Sequence, residues 1–261
     1  DAVIHLAGLK SVRDSVMNPL LYWDNNFIGS KCLIEVMNEF KCRTIVFSSS
    51  ATIYGETSFD LLDEEKELKP NNTYGKTKLS VEFLLESLFN ASQESWRIAI
   101  LRYFNPIGAH ESGLIGESLQ SKPNNLFPII CNVAQGNQEF LKIYGNDWST
   151  HDGTCIRDYI HIMDLAESHV IALKNIEKEK EGLVKLNIGT GLGTSVLDLV
   201  EKFSQVNKCK IPLKFYDRRL GDVSILIANN EKASKYLNWV PKRDIEQMCI
   251  DGWKWFKLQN N

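Results

Sequence analysis

The first half of the chain alternates between short apolar runs and longer stretches in which apolar residues recur with helical spacing. The apolar runs, which predict buried strands, are residues 2–8, 44–47 and 97–103. A helix is predicted from Asn18-Pro19, with proline in the first helical position, to about Phe40, and another opens at Tyr74. This βαβαβ order predicts an α/β fold built on a doubly wound parallel sheet.

The pattern becomes less regular in the second half. Helical spacing recurs near residues 126–134, 164–176, 196–203 and 245–256, separated by short strands and turns. We therefore predict two parts. Residues 1–105 contain the parallel sheet, and residues 106–261 form mainly a smaller α/β lobe that covers the carboxyl edge of the sheet, with some segments returning to the sheet.

Composition and charge exclude several classes of function. A formal net charge of −3 gives no electrostatic basis for binding nucleic acid or an anionic membrane. No apolar stretch approaches the ~20 residues that a membrane span needs, and no signal peptide is recognisable. The six cysteines show neither C-x-x-C pairing nor a cluster, which favours a reducing, cytoplasmic location. The five histidines have no metal-ligand spacing, so no metal site is predicted.

Three residues form the candidate catalytic set. Ser50 follows a predicted buried strand, at the edge of the sheet where ligands bind in open α/β folds. Tyr74 and Lys78 are four residues apart, so on a helix they face the same way. A tyrosine with an ordinary pKa near 10 is a poor base at neutral pH. A neighbouring ammonium favours its phenolate, and a serine hydroxyl can orient the reacting oxygen and relay a proton.

Four motifs in order resemble the UDP-glucose (UDP-galactose) 4-epimerases of the extended short-chain dehydrogenase/reductase family. They are SSSATIYG at 48–55, Tyr74-x-x-x-Lys78, LRYFNPIGA at 101–109 and RDYIH at 157–161. The resemblance covers essentially the whole chain, from the HLAGLK segment at 5–10 to the LNW segment at 237–239.

The resemblance implies a Rossmann-like fold, NAD as cofactor and a UDP-hexose as substrate. The implied reaction interconverts UDP-glucose and UDP-galactose by oxidation at C4, rotation of the 4-keto sugar and re-reduction. It implies catalytic roles for Ser50, Tyr74 and Lys78. Beside these three, the implied NAD contacts are Leu6, Ala7, Gly8, Leu9, Lys10, Asn25 and Phe104. Beside Ser50 and Tyr74, the implied UDP-sugar contacts are Asn105, Asn125, Leu126, Lys142, Ile143, Tyr144, Arg157, Arg219 and Asp222.

On this basis residues 1–105 are the remainder of an NAD-binding domain, and residues 106–261 mainly bind the UDP-sugar. A homodimer is implied for the full-length protein. Galactose metabolism and the supply of surface polysaccharide are both compatible roles.

The residues themselves support only some of these roles. Arg157 and Arg219 are forked donors suited to a diphosphate. A surface salt bridge between Arg157 and Asp158 and a charged turn around Arg219 are the alternatives. Asp222 could bond ribose hydroxyls. Asn25 lies mid-helix, where a side chain would ordinarily be solvated or bonded to its own backbone, so only the resemblance assigns it a role.

A second glycine-rich segment could be mistaken for the cofactor turn. Residues 189–194 (GTGLGT) follow a predicted strand and open a helix, as a dinucleotide-binding fingerprint does. The third glycine position holds Thr194, however, and the segment lies late in the chain. The resemblance assigns it to the sugar-nucleotide lobe.

Two departures from the family pattern leave alternatives open. The strands and Gly-x-x-Gly-x-x-Gly loop that precede the HLAGLK segment in the family are absent from this sequence, so we expect an amino-terminal truncation. A non-catalytic fragment is then one alternative, and a related 4,6-dehydratase or UDP-glucuronate decarboxylase is another. Ala51-Thr52 replaces the Asp-Glu pair expected of a dehydratase. Leu226 occupies a position that borders the sugar's N-acetyl region, so acceptance of N-acetylated substrates stays open.

Overall fold

A computed structural model describes residues 1–56, 61–91, 96–118, 125–180, 182–219 and 222–259. The strands are β1 (Val3–His5), β2 (Thr44–Ser50), β3 (Arg97–Tyr103), β4 (Asn105–Ile107), β5 (Leu141–Tyr144), β6 (Ile156–His161), β7 (Gly182–Ile188), β8 (Gly193–Ser195), β9 (Leu213–Tyr216) and β10 (Ile225–Leu226). The helices are α1 (Val12–Met17), α2 (Pro19–Tyr22), α3 (Gly29–Glu39), α4 (Thr73–Ala91), α5 (Leu126–Ala134), α6 (Ile162–Ile176), α7 (Val196–Asn207), α8 (Glu231–Leu237) and α9 (Ile245–Gln259).

The chain forms two compact units, each assembled from several segments. Unit 1 contains Asp1–Tyr103, Glu167–Ile188 and Asn229–Trp239, and unit 2 contains Phe104–Ala166, Gly189–Ala228 and Val240–Asn261. The first segment of unit 1 thus ends two residues before the boundary expected from the sequence. Two later segments also belong to it.

Unit 1 is built on a parallel sheet with the strand order β1-β2-β3-β7. In β2, every residue except Ser50 is buried, as expected for a strand covered on both faces. In the pairing of β2 with β3, Ser50 lies opposite Tyr103. This parallel arrangement with flanking helices confirms the predicted fold class.

The predicted helix from Pro19 to Phe40 is interrupted. Pro19 is the first residue of α2, as expected, but a π-helical turn at Trp23–Ile28 separates α2 from α3. A further helix, α1, precedes it. In α4, Leu79 is buried, whereas Phe83 is exposed.

Unit 2 has its own small sheets and its own core. The parallel strands β10-β6-β4 form one sheet, with β8 pairing antiparallel to β6, and β5 pairs in parallel with β9. Aromatic and aliphatic residues of α5, α7 and α9 form the core, with Phe203 packing edge-to-face on both Phe127 and Trp253.

Within the described ranges, each helix falls short of the length and apolarity that a membrane crossing demands.

Candidate active site

The three candidate catalytic residues lie together in unit 1. Ser50 ends β2 and caps a short 3₁₀ turn, where its Oγ accepts hydrogen bonds from the Thr52 amide (3.3 Å) and hydroxyl (2.8 Å). Tyr74 is in the first turn of α4, and its side chain is hydrogen-bonded to that of Ser50. Lys78 is buried one turn later, with Nζ 5.9 Å from the centroid of the Tyr74 ring.

Burial has the largest effect on the pKa values of Tyr74 and Lys78. It raises the pKa of Tyr74 to about 12, although the hydrogen bond from Ser50 acts in the opposite direction. Burial also lowers the pKa of Lys78 to about 8. The expectation that Lys78 brings the Tyr74 pKa below its ordinary value is therefore not met in this structure. The ammonium is held by the Ser48 carbonyl oxygen, at 2.7 Å, rather than by the phenol.

The turn that follows β1 is held by a residue that the sequence analysis missed. Asn26 is buried, and its Oδ1 accepts a hydrogen bond from the Leu9 amide at 2.7 Å. Its Nδ2 donates to the Leu9 carbonyl oxygen at 3.0 Å and to Thr77 Oγ1, on α4, at 3.3 Å. Asn25, the predicted residue, is exposed in the π-helical turn. Asn26 thus links the turn at Leu6–Lys10 to the helix that carries Tyr74 and Lys78.

A spacing signal could have identified Asn26. Tyr22, Asn26 and Ser30 are four residues apart and all buried, so they define the inward face of this helical segment. The turn itself needs glycine. Gly8 has φ +150°, and a Cβ there would lie 3.1 Å from Asn26 Oδ1. Leu6, Ala7 and Lys10 are exposed.

A buried ion pair lies beside the catalytic residues and was also missed. Arg102 on β3 donates to Glu82 on α4 (Nη2 to Oε2, 2.7 Å), and both side chains are inaccessible to solvent. The Ser49 hydroxyl donates to the same carboxylate. Arg102 Nη1 also bonds the Tyr54 hydroxyl at 3.0 Å. These contacts fix α4 against the ends of β2 and β3.

The candidate sugar-nucleotide residues lie in unit 2, as does Phe104, which is buried. Arg157, on β6, donates from Nη1 to the Ile156 carbonyl oxygen at 2.9 Å and to that of Ser224 at 3.5 Å. The alternative salt bridge with Asp158 does not form, because successive side chains on a strand point to opposite faces. Leu226 lies beside Arg157 in the sheet.

The second glycine-rich segment, at residues 189–194, is hydrogen-bonded to the carboxylate of Asp158. This carboxylate accepts hydrogen bonds from the Thr190 amide (2.8 Å), the Thr190 hydroxyl (2.7 Å), the Gly191 amide (2.9 Å) and the Ala228 amide (3.2 Å). The backbone N–H groups of this turn therefore bind a carboxylate of the protein itself. Burial nevertheless raises the pKa of Asp158, against the opposing effect of these hydrogen bonds.

Two of the candidate cations, Arg219 and Lys142, lie over aromatic rings of the paired strands β5 and β9. The Arg219 guanidinium lies 3.7 Å from the centroid of the Tyr144 ring, and Lys142 Nζ lies 5.2 Å from that of Tyr216. Arg218, in contrast, forms an ion pair with Asp147 at 2.8 Å. The charged-turn alternative therefore describes Arg218 better than Arg219.

The remaining candidates occupy defined places in unit 2. Asn105 is the first residue of β4, Asn125 caps the amino end of α5, and Leu126 begins that helix. The Ile143 side chain is buried in the core, so its backbone is the part available for a ligand. The Asp222 amide donates to the Arg219 carbonyl oxygen at 3.3 Å.

One group in the described ranges has metal-ligand spacing. Ligand atoms of His151, Asp152 and Asp198 lie within 4.8 Å of one another. Both aspartates already act at the start of α7, where Asp152 accepts from Ser195 and Asp198 completes a capping box. The group therefore serves as a helix cap.

Comparisons with known proteins identify the family. The family model described as GDP-mannose 4,6 dehydratase matches residues 1–251. UDP-glucose 4-epimerase GEPI48 of Cyamopsis tetragonoloba is 49% identical over 255 residues, which are 98% of this chain and 73% of that protein.

Solved structures agree with this relative. A UDP-glucose 4-epimerase from Stenotrophomonas maltophila with bound NAD and formylated UDP-arabinopyranose has a TM-score of 0.96 and 42% identity, covering 100% of this chain and 77% of that one. The enzyme from Bifidobacterium longum in complex with NAD+ and UDP has a TM-score of 0.94 and 41% identity, covering 100% and 77%. The resemblance seen in the motifs is thus confirmed: the chain belongs to the GDP-mannose 4,6 dehydratase family of extended short-chain dehydrogenases/reductases, and within it to the UDP-glucose 4-epimerases.

Proposed function

We propose that this protein interconverts UDP-glucose and UDP-galactose, with NAD as its cofactor. The observation that carries the proposal is the catalytic group of unit 1, in which Ser50 is hydrogen-bonded to Tyr74 and Lys78 lies one helical turn away. Relatives at up to 49% identity are UDP-glucose 4-epimerases, and similar solved structures hold NAD.

Residues of unit 1 fit the cofactor. The Lys78 ammonium has three N–H donors, and the Ser48 carbonyl oxygen takes one of them, which leaves two for the hydroxyls of a ribose. The exposed turn at Leu6–Lys10 has no side chain at Gly8, so its backbone is open to close approach. NAD, when bound, supplies the chemistry of accepting and returning a hydride, and its nicotinamide carries a positive charge.

Tyr74 is the residue that moves the proton. As the phenolate it accepts the proton of the sugar's 4-hydroxyl, and it gives the proton back when that hydroxyl re-forms. Burial holds the Tyr74 pKa at about 12 in this structure, where Lys78 does not lower it, so the phenolate needs further positive charge. The Lys78 ammonium and the positively charged nicotinamide of bound NAD would supply that charge together. Ser50, fixed by Thr52, orients the reacting oxygen and passes the proton between sugar and phenol.

Residues of unit 2 are proposed to bind the UDP-hexose. Arg157 and Arg219 supply forked guanidinium donors to the diphosphate, and Tyr144, over whose ring the Arg219 guanidinium lies, is a further proposed contact. Asp222 is suited to accept hydrogen bonds from ribose hydroxyls. The other proposed contacts are Asn105, Asn125, Leu126, Lys142 and Ile143.

The rival within the family is dehydration of the sugar. A 4,6-dehydratase would be expected to carry an acidic pair directly after the catalytic serine, but Ala51 and Thr52 occupy these positions. The Thr52 hydroxyl donates to Ser50, so it supports the proton relay rather than a β-elimination.

Product analysis separates these functions. The complete protein is incubated with UDP-galactose, and the sugar nucleotides are followed by proton NMR. We expect UDP-glucose to form, and the same mixture to be reached from UDP-glucose. A 4-keto-6-deoxy product, or the absence of turnover with NAD present, would contradict the proposal.

Two further features belong to the proposal. Apolar side chains such as Val36 on α3 and Phe83 on α4 are exposed, which supports a homodimer that light scattering can test. All six cysteines are free thiols, which supports a reducing, cytoplasmic location. The reaction would serve galactose metabolism or the supply of sugars for polysaccharide.

A further inference from the structure

We propose that Asp158 is a positioning residue for the UDP moiety and acts through Arg157, its neighbour on β6. This inference rests on the proposed function, because it assigns Arg157 to the diphosphate. Asp158 itself is fully buried and points to the opposite face of the strand, so it does not touch the substrate.

The carboxylate joins three segments of unit 2. Thr190 and Gly191 follow β7, Ala228 follows β10, and Asp158 lies in β6. The Asp158 carboxylate is thereby hydrogen-bonded to residues next to both strands that flank Arg157. Leu226 of β10 is paired with Arg157 on one side, and Thr194 of β8 is paired with it on the other. The position of the Arg157 backbone therefore depends on the hydrogen bonds of Asp158.

A charged acceptor suits this arrangement better than an amide. Within the described ranges, no lysine or arginine forms an ion pair with Asp158. The charge is met by three backbone N–H groups and one hydroxyl. Hydrogen bonds to a carboxylate are shorter and stronger than those to a neutral oxygen. An asparagine could accept with one oxygen only, and its NH₂ group would face N–H donors.

Gly189 also contributes to the hydrogen-bonded arrangement around Asp158. A Cβ at this position would lie 2.5 Å from Asp158 Oδ2 and 2.7 Å from the Ala228 Cβ. The glycine lets the turn close on the carboxylate. The glycine-rich segment at residues 189–194 thus acquires a role in holding the substrate-binding strand.

The test is Asp158→Asn in the complete protein. We measure the Kd of UDP by calorimetry, and kcat and KM with UDP-galactose. Losing charge-assisted hydrogen bonds should weaken UDP binding and raise KM by about 10- to 100-fold. Because Asp158 lies outside the group that moves the proton, kcat should stay within about threefold of wild type.

Asp251→Asn is the matched control. Asp251 is another buried carboxylate of unit 2. It accepts from Gln247 Nε2 at 2.8 Å and lies 3.3 Å from Nε2 of His161, at the other end of β6 from Arg157, without contacting β10 or residues 189–191. It should lower thermal stability but leave the Kd of UDP unchanged. Equal losses of UDP affinity in both variants would overturn the proposal, as would wild-type affinity in Asp158→Asn.

Two measurements keep the proposal testable if Asp158→Asn folds poorly. Gly189→Ala retains the charge and should weaken UDP binding in the same direction, with wild-type affinity counting against the proposal. Hydrogen exchange at the amides of Thr190, Gly191 and Ala228 should accelerate in either variant. Unchanged exchange would overturn the carboxylate's role. A wild-type protein that does not bind UDP would contradict the proposed function instead.

Discussion

The two adjacent asparagines of the π-helical turn allow a sharp test of the structure. Asn26→Ala removes three hydrogen bonds, two to the Leu9 backbone and one to Thr77. Asn25→Ala removes an exposed side chain one position earlier. The resemblance points to Asn25, whereas the geometry points to Asn26.

The magnitude follows from the contacts. Each hydrogen bond contributes about 1 kcal/mol net to stability. The Leu9 backbone is only partly buried, so water can replace some of the hydrogen bonds that the substitution removes. We therefore expect Asn26→Ala to lower the free energy of unfolding by about 2–3 kcal/mol, and Asn25→Ala to change it by less than about 0.5 kcal/mol.

The assay is urea denaturation of the two variants and the wild type, together with the amount of NAD that remains bound after purification. Because Asn26 fixes the turn at Leu6–Lys10, its variant should also retain less NAD. Equal destabilisation by the two substitutions, or a larger effect at Asn25, would show that Asn26 does not hold this turn.

Two other predictions concern protonation and backbone conformation. Lys78→Met removes the charge that favours the Tyr74 phenolate, so the midpoint of the kcat–pH profile should move to higher pH; an unchanged midpoint would rule out this role. Gly55→Ala should destabilise by more than about 1 kcal/mol, because Gly55 has φ +71° and a Cβ would overlap the Lys69 carbonyl oxygen. Gly29→Ala, where the nearest atom would be 3.8 Å away, is the control in the same denaturation series and should show no such loss.

The long elements could be predicted from the sequence because their apolar periodicity is strong. The strand Arg97–Tyr103 and the helix Leu126–Ala134 have the predicted bounds. The grouping of Ser50 with Tyr74 and Lys78 followed from one strand end and one helical turn, both of which are local features.

Other features depend on contacts between distant residues. Strand β10 has two residues, too few for any periodicity, and it exists because Ile225 pairs with Ile156. The π-helical turn at Trp23–Ile28 has no signal in the sequence, although the four-residue spacing of Tyr22, Asn26 and Ser30 marks the inward face of this segment. The Tyr74 pKa could not be anticipated either, because burial rather than the lysine spacing decides it.

If Tyr74 moves the proton of the sugar's 4-hydroxyl, the Tyr74→Phe variant loses the group that carries this proton. Tyr236→Phe is the control, because the buried Tyr236 hydroxyl has no hydrogen-bond partner within the described residues. We predict that Tyr74→Phe lowers the kcat of UDP-galactose epimerisation by about 10²- to 10⁴-fold, with UDP binding unchanged, and that Tyr236→Phe keeps wild-type kcat. A Tyr74→Phe variant that turns over UDP-galactose at the wild-type rate would contradict the account.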